Sequence, residues 1–361
     1  MEQAPNMRKT VLAALTAIAL AASTPVHAGK VKKVLLKVPL AYSTSTPALG
    51  SSILWVAEQV RRVSNGSLRM KLYEPGKLVS PLEILDAVST GKVNAGYATA
   101  GYWTGKIPAA PLFTAVPFGP EAGEYMAWMY YGNGLKLYQE MYDRHGYHVK
   151  VIPCNLLAPE TSGWFAKPIE KPEDLKGLRM RFFGLGAKVM EKLGVSTSLL
   201  PGNEVFPALE KGAIDATEYS MPAIDARLGL HKVVKYNYYP GWHQQASIME
   251  LLINEKTWEK LHDSQKAALE TVCQANMARS LAEGEAGQFE VMRRNIEERG
   301  VKNMYWSQEM LDLFRRTWQE VIAEQVAADP FFKKTWEDMR RFRAGYDLWE
   351  AYAFLPRAAR E

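Results

Sequence analysis

Apolar residues run and alternate over 34–41, then fall at Leu49, Ile53, Val56, Val60 and Val63 with three-or-four spacing, then return to a strand-like pattern over 68–73. A period of two predicts a strand and a period near 3.6 a helix. Asn65-Gly66 marks the end of the helix. A short helix over 83–88 stopped by Gly91 and a strand over 93–97 complete a β-α-β-α-β order. That order predicts a mostly parallel sheet covered by helices on both faces. A Pro-rich loop (108–120), an aromatic helical stretch (121–144) and a strand (148–153) placed to cross into a second lobe follow.

The alternation resumes between Ser162 and Tyr239. Residues 180–183 read as a strand, 186–193 as a helix closed by Gly194, 204–211 as a helix closed by Gly212, and 214–218 as the next strand. Arg181 and Glu218 then sit near strand ends on one rim, where open α/β sheets collect ligand groups. Further on, Ala268, Val272, Ala275, Ala278, Ala282, Ala286, Phe289, Met292 and Ile296 keep helical spacing. They predict one helix of about 35 residues and ~50 Å, with Gly284 and Gly287 as candidate bends. Two more helices, 309–327 and 331–353, are separated by Asp329-Pro330 and carry a heavy aromatic load.

The N-terminus places Arg8 and Lys9 before an apolar run (11–22) and a small-residue site at Val26-His27-Ala28, which reads as a cleavable signal peptide over 1–28. The run is too short to span a bilayer, so the expected product is soluble and periplasmic. The remaining chain exceeds the size at which a single core stops growing, and two discontinuous lobes are expected. Lobe I would comprise 29–151 plus about 243–282, lobe II 152–242 plus about 283–308, and 309–361 a helical extension. The formal net charge of +5 is spread without a basic tract, which argues against nucleic acid and allows attraction of small anions. With only two cysteines, Cys154 and Cys273, this is no disulfide scaffold. Two buried free thiols are expected, a bridge being the alternative.

Other chemistries lack their residues. The pair His145 and His148 has no adjacent base or cysteine partners, and no nucleophile elbow, phosphate loop or dinucleotide fingerprint occurs. The best enzyme alternative is a secreted α/β hydrolase using Glu160 and Glu218 as a glycosidase acid pair.

Four stretches, GKLVSPLEILDAVSTGKVNAGY (76–97), KPIEKPEDLKGLRMR (167–181), PGNEVFPALEKGAIDATE (201–218) and KYNYYPGW (235–242), resemble the solute-binding receptors of tripartite ATP-independent periplasmic (TRAP) transporters. SGWF (162–165), DATE (215–218) and YYPGW (238–242) together are most similar to the branch that takes up 2-oxo acids and other small organic acids. The resemblance implies a two-lobed α/β binding-protein fold with a long interlobe helix, no enzymatic activity, and delivery of an organic acid anion to small and large membrane subunits, or to a sensor. It implies a carboxylate on Arg181, whose planar, permanently charged fork suits that task, with Arg179 the lesser candidate. It also implies a metal, Na⁺ or Ca²⁺, on Glu160, Glu218 with Tyr219, and Gln244. Glu160 stands where the family usually has an amide, Gln244 where it has an acid, and Tyr219 where it has a tryptophan. Alternatively Glu160 faces a ligand amine or hydroxyl, or pairs with Arg181. Trp164, Phe183, Tyr219 and Trp242, with Tyr97 and Tyr102 from the first lobe, are candidate walls, and His243 a candidate donor. Some members of the branch dimerise by exchanging a C-terminal helix, so a homodimer through 309–361 is expected, against both helices packing on their own chain.

Overall fold

The computed structural model describes residues 31–355; the leader expected over 1–28 and the last residues of the C-terminal extension lie outside them. Strands β1 (Val34–Pro39) and β2 (Leu68–Tyr73) pair in parallel across helix α1 (Ser52–Val63), as the pattern predicts. Helix α2 (Ile84–Ser89) then leads to β3 (Ala95–Ala98), which a single parallel bridge, Leu40 to Tyr97, links to the end of β1.

The rest of this sheet departs from the parallel expectation. β3 and β4 (Val149–Leu157) flank β10 (Ser247–Asn254), and β10 is antiparallel to both. All eight residues of β10 are buried, so SIMELLIN has no polar face and no period of two to announce a strand. Its one acid, Glu250, accepts hydrogen bonds from the Trp103 indole and the Tyr138 and Tyr142 hydroxyls. Those donors anchor α4 (Gly134–Arg144), which α3 (Ala122–Tyr131) precedes, onto the sheet.

The second sheet has six strands. Its order is β11 (Lys302–Tyr305), β9 (Tyr236–Tyr239), β5 (Gly163–Phe165), β8 (Ala216–Thr217), β6 (Arg179–Arg181), β7 (Ser196–Ser198). β6 runs parallel to β7 and β8, joined through α5 (Gly184–Lys192) and α6 (Gly202–Glu210), with α7 (Pro222–Leu228) following. These are the elements expected around Arg181 and Glu218, each shifted by a residue or two.

The expected 35-residue helix is two helices, α9 (Asp263–Ala286) and α10 (Gln288–Glu297), broken at Gly287 after α8 (Glu255–Glu259). α9 packs on β4 and α1 of the first sheet, and α10 packs on α7 and leads into β11 of the second. The break lies where the chain passes from one sheet to the other. At Gly284 an added Cβ would touch Met221 and Ala158, which is why small residues occupy this passage.

Cys154 and Cys273 form a disulfide, contrary to the expectation of free thiols. The reason is a bulge: Met249 pairs with Asn155 and Glu250 with Pro153, leaving Cys154 out of the ladder. A bulged residue is turned out of register, here toward α9. There Asn276 donates to the Cys154 carbonyl (2.7 Å), and Ser280 bonds both the N–H and the carbonyl of Leu156 (3.1 Å each).

The C-terminal helices α11 (Gln308–Ala328) and α12 (Pro330–Ala353) clasp both halves. α11 lies on α5, with Lys192 bridging Glu320 (3.5 Å) and Glu324 (2.7 Å) and Phe314 stacked on Trp242. α12 lies on α3 and α4 through Asp338 to the Trp128 indole (3.0 Å), Lys334 to Glu140 (2.6 Å) and Arg343 to Glu124 (3.0 Å). Its last turns leave Leu348, Trp349 and Tyr352 exposed.

The disulfide closes a loop with a sequence separation of 119 residues. The double variant Cys154→Ala/Cys273→Ala should lose roughly 2–5 kcal/mol of stability in urea unfolding; an unchanged midpoint would show that the hydrogen bonds of α9 alone hold the helix.

Candidate functional site

β6 ends at Arg181, and parallel β8 ends beside it at Thr217, so Glu218 emerges next to the guanidinium. Arg181 Nη1 donates to Glu218 Oε2 at 2.9 Å and also to the Glu218 carbonyl, and Nε donates to the Leu200 carbonyl (3.2 Å). The same Glu218 oxygen accepts the Phe183 N–H at 3.0 Å. The guanidinium lies 4.9 Å from the Tyr219 ring centroid and 6.0 Å from that of Phe183. Both charged residues are buried. Arg179 repeats this pairing one step out: it grips Asp215 through Nε (3.0 Å) and Nη2 (2.6 Å), but on the exposed side, facing away from the cleft chemistry.

The remaining polar groups come from the two crossings. Glu160 follows β4; its Oε1 accepts from the Ser220 hydroxyl at 2.9 Å, and its Oε2 has no partner. Opposite it is the turn after β9. Gly241 lies against the Glu160 main chain so closely that a Cβ would sit 2.2 Å from its carbonyl oxygen, so only glycine allows the two segments to meet. This turn carries His243 and Gln244. The imidazole is fixed between the rings of Phe182 (5.1 Å) and Trp242 (5.7 Å), with Nε2 3.5 Å from Glu218 Oε1. Glu160, Glu218 and His243 each offer an atom within 4.8 Å of the others'. The Gln244 Oε1 and the Tyr102 and Ser247 hydroxyls are also buried without partners.

These groups surround a cavity of about 20 Å³. Arg181, Phe183, Tyr219 and Ser220 line it from the second half, Tyr42, Leu49, Tyr102, Leu157, Ser247 and Met249 from the first, and Glu160 and Gln244 from the crossings. A larger hollow, the 430 Å³ groove between α4 and α12, is ringed by lysines and acids.

Among the residues singled out from sequence, Arg181, Glu160, Tyr219, Gln244, Phe183 and Tyr102 line this cavity, and Glu218 abuts it through Arg181. Trp164 and Trp242, expected as walls, do not. The Trp164 indole points away to donate to Asp225 Oδ2 (2.8 Å), and Trp242 is stacked between Phe118 and Phe314 beneath α11. Tyr97 stands behind the wall, its hydroxyl on the Leu49 carbonyl (3.0 Å). Tyr42, Leu49, Leu157, Ser220, Ser247 and Met249 escaped the sequence reading. Tyr42 follows a strand end, the one signal that was available; Ser247 and Met249 belong to the unannounced β10.

The electrostatics follow from burial. Burial and the neighbouring Glu218 charge push the Glu160 carboxyl well above the usual range. Burial acts on Glu218 in the same sense, but Arg181, His243 and the Phe183 N–H outweigh it and hold that group below its ordinary value. The protein alone therefore presents a compensated Arg181–Glu218 pair beside a Glu160 whose protonated form burial favours. Convergent carboxylate and amide oxygens without partners fit a bound cation, which would ionise Glu160 and satisfy those atoms.

Asp225 is raised to about 8 by burial. An unfolded aspartate titrates near 4, so its stabilising contribution is complete below about pH 4 and declines as pH rises through about 8. Asp225→Asn keeps an acceptor for Trp164 and cannot ionise. Thermal melts should show the variant gaining stability over the parent at about pH 9 and matching it at about pH 4; parallel curves at both pH values would contradict the shift.

With this geometry in view, the model of the bacterial extracellular solute-binding protein family 7 matches residues 42–329. A Nostoc protein described as a monocarboxylate 2-oxoacid-binding periplasmic protein is 34% identical over 344 residues, covering 94% of this chain and 93% of its own. The TRAP transporter solute-binding protein of Bordetella bronchiseptica, a mixed-occupancy dimer with calcium and picolinate in one site, superposes with TM-score 0.86 at 30% identity, covering 89% of this chain and 95% of its own. The TRAP periplasmic solute-binding protein of Pseudoalteromonas atlantica, with bound sodium and pyruvate, does so with TM-score 0.83 at 30% identity, over 89% and 97%. The two sheets, their crossings and the charged cleft between them are thus those of a receptor and not of an enzyme, and this chain belongs to the bacterial extracellular solute-binding protein family 7, the solute receptors of TRAP transporters.

Proposed function

We propose that this receptor closes on a small 2-oxo or 2-hydroxy monocarboxylate in the periplasm and presents it to the small and large membrane subunits of its transporter. The observation that carries the reading is the buried Arg181, which lines a cavity of about 20 Å³ while its Nε and Nη1 are committed to Leu200 and Glu218. A carboxylate meets a charge-assisted donor there, and the 2-oxygen meets the unpartnered polar face of Glu160, Glu218 and Gln244. The Nostoc relative and the pyruvate-bound structure support that ligand class.

Na⁺ or Ca²⁺ would be held by Glu160, Glu218 with the main chain of Tyr219, and Gln244, where it would offset the ligand's charge and polarise its 2-oxygen. The calcium and sodium of the related structures support this. The lobes are taken to follow the two sheets, with crossings along β4, before β10, and at the α9–α10 break, which the sheet order supports. A cleaved leader accounts for residues 1–28. The exposed Leu348, Trp349 and Tyr352 are offered as the homodimer surface, in keeping with the dimeric Bordetella relative.

Closure is a population shift driven by contacts the ligand makes with both halves. Phe183 of the second half rests edge-on against Tyr102 (5.8 Å) and on Gly101 of the first, where an added Cβ would lie 2.1 Å from the ring. Gly101→Ala should hold the halves apart and weaken ligand binding at least tenfold, about 1.4 kcal/mol, in titration calorimetry, without touching the ligand; unchanged affinity would remove Phe183 from the closing contact.

The ligand class is tested by thermal shift on refolded, ligand-free protein against 2-oxo monocarboxylates of increasing length, with dicarboxylates and polyols as the contrast. Occupancy at 100 times the dissociation constant adds ~2.7 kcal/mol. Three- and four-carbon 2-oxo acids should give the largest shifts. A response confined to dicarboxylates or polyols would overturn the reading.

A further inference from the structure

We infer that Glu283, one turn before the α9–α10 break, is a positioning residue for the cleft: it fixes the turn that carries Leu49 into the cavity and so sets how long a ligand side chain the cavity takes. The turn over 43–51 is built against local preference. Ala48 has φ +57°, a left-handed conformation that a residue with a side chain keeps only where its surroundings over-determine it. Gly50 folds back on the start of the turn so closely that a Cβ would lie 1.9 Å from the Ser43 carbonyl oxygen. Groups far along the chain supply the hold. The Ala48 carbonyl accepts from Asn155 Nδ2 of β4 (2.6 Å), and the Leu49 carbonyl from the Tyr97 hydroxyl of β3 (3.0 Å). The Ala48 N–H and the Ser51 hydroxyl both donate to Glu283 Oε1, at 3.1 and 3.0 Å.

Asn155 and Tyr97 belong to strands of the first sheet, which their ladders fix; Glu283 belongs to the helix that leads out of that sheet. Its carboxylate is held at both oxygens. Oε1 takes the turn, and Oε2 accepts from Arg279 Nη1 (3.0 Å), whose guanidinium lies over the Trp55 ring of α1 (5.4 Å). Removing the carboxylate takes away the acceptor of the Ala48 N–H and the Ser51 hydroxyl and frees Ala48 to return to negative φ. Leu49 follows directly. It is 2% exposed and, with Leu157 and Met249, forms the apolar wall of the cavity. The polar groups of Arg181, Glu160 and Gln244 meet the ligand's carboxylate and 2-oxygen, so the apolar wall meets its carbon chain. Outward movement of Leu49 lengthens that end of the cavity.

The effect on ligand length rests on the proposed ligand class, but the fixing of the turn is tested without ligand. The Gly50 and Ser51 N–H groups bond to Thr46 and not to Glu283, so their hydrogen exchange in the ligand-free protein reports the turn itself. Glu283→Ala should speed exchange at both at least tenfold, and Glu283→Gln, which keeps an acceptor oxygen, should restore it to within a factor of three. In titration calorimetry, Glu283→Ala should shift the ratio of affinities for six-carbon and three-carbon 2-oxo acids at least fivefold toward the longer acid. A general loss of stability would lower both and leave the ratio alone. Leu49→Ala should shift the ratio in the same direction, and adding Glu283→Ala to it should move the ratio by less than twofold more, because the glutamate acts through Leu49. Unchanged exchange in Glu283→Ala, an unmoved ratio in a receptor that binds 2-oxo acids, or fully additive effects in the double variant would each overturn the role. Faster exchange in Glu283→Ala of a receptor that binds no 2-oxo acid would sink the proposed ligand class and leave the fixing of the turn standing.

Discussion

The pairing of Arg181 with Glu218 across two adjacent parallel strand ends is the constraint on which the cleft depends. Two charges with at most 2% of either side chain exposed are costly to take out of water, and a pair of this kind adds little net stability over an apolar core. What it gives is orientation. Glu218 Oε2 is consumed by Arg181 and the Phe183 N–H, which turns Oε1 toward His243, while Arg181 itself lines the cavity. Both ends of the pair are thereby held in fixed directions. Glu160, pushed toward neutrality by burial and by Glu218, completes the arrangement.

The scaffold holds that geometry by ties gathered on one side of the cleft. β4 and β10 are long antiparallel neighbours, and the bulge that ejects Cys154 ties their sheet to α9 through the disulfide and through Asn276 and Ser280. Beyond Gly287 the chain belongs to the other sheet. The covalent and hydrogen-bonded ties are thus concentrated before the break. α11 and α12 add a clasp on the outside, since one grips α5 and the other grips α3 and α4. Opening has to give up some of these contacts, or bend the Asp329-Pro330 junction between the helices.

Much of this was legible because the relevant signals are local. A helix closed by glycine between two short strands appears in the spacing of apolar residues, and it delivers Arg181 and Glu218 to one rim without reference to anything distant. The failures have one physical origin, dependence on partners far along the chain. β10 is buried on both faces, so its sequence could equally be a helix segment. Trp164 and Trp242 looked like cleft aromatics until Asp225, Phe118 and Phe314 were seen to claim them. The disulfide needed a one-residue bulge that periodicity cannot show. His243 was recognised as a donor, but its isolation between two rings is a tertiary fact.

The central claim is that Arg181 meets the ligand's carboxylate, and titration calorimetry of Arg181→Lys beside the unmodified protein tests it most directly. Lysine keeps the charge that Glu218 requires but loses the fork, so the fold should survive, with an unchanged far-UV spectrum and a ligand-free melting temperature within a few degrees. The account predicts that affinity for a short 2-oxo acid falls by tenfold to a hundredfold or more, the loss of one charge-assisted hydrogen bond of ~1.5–3 kcal/mol. Equal affinity in the folded variant would mean that the carboxylate sits elsewhere and that the buried pair serves only the fold.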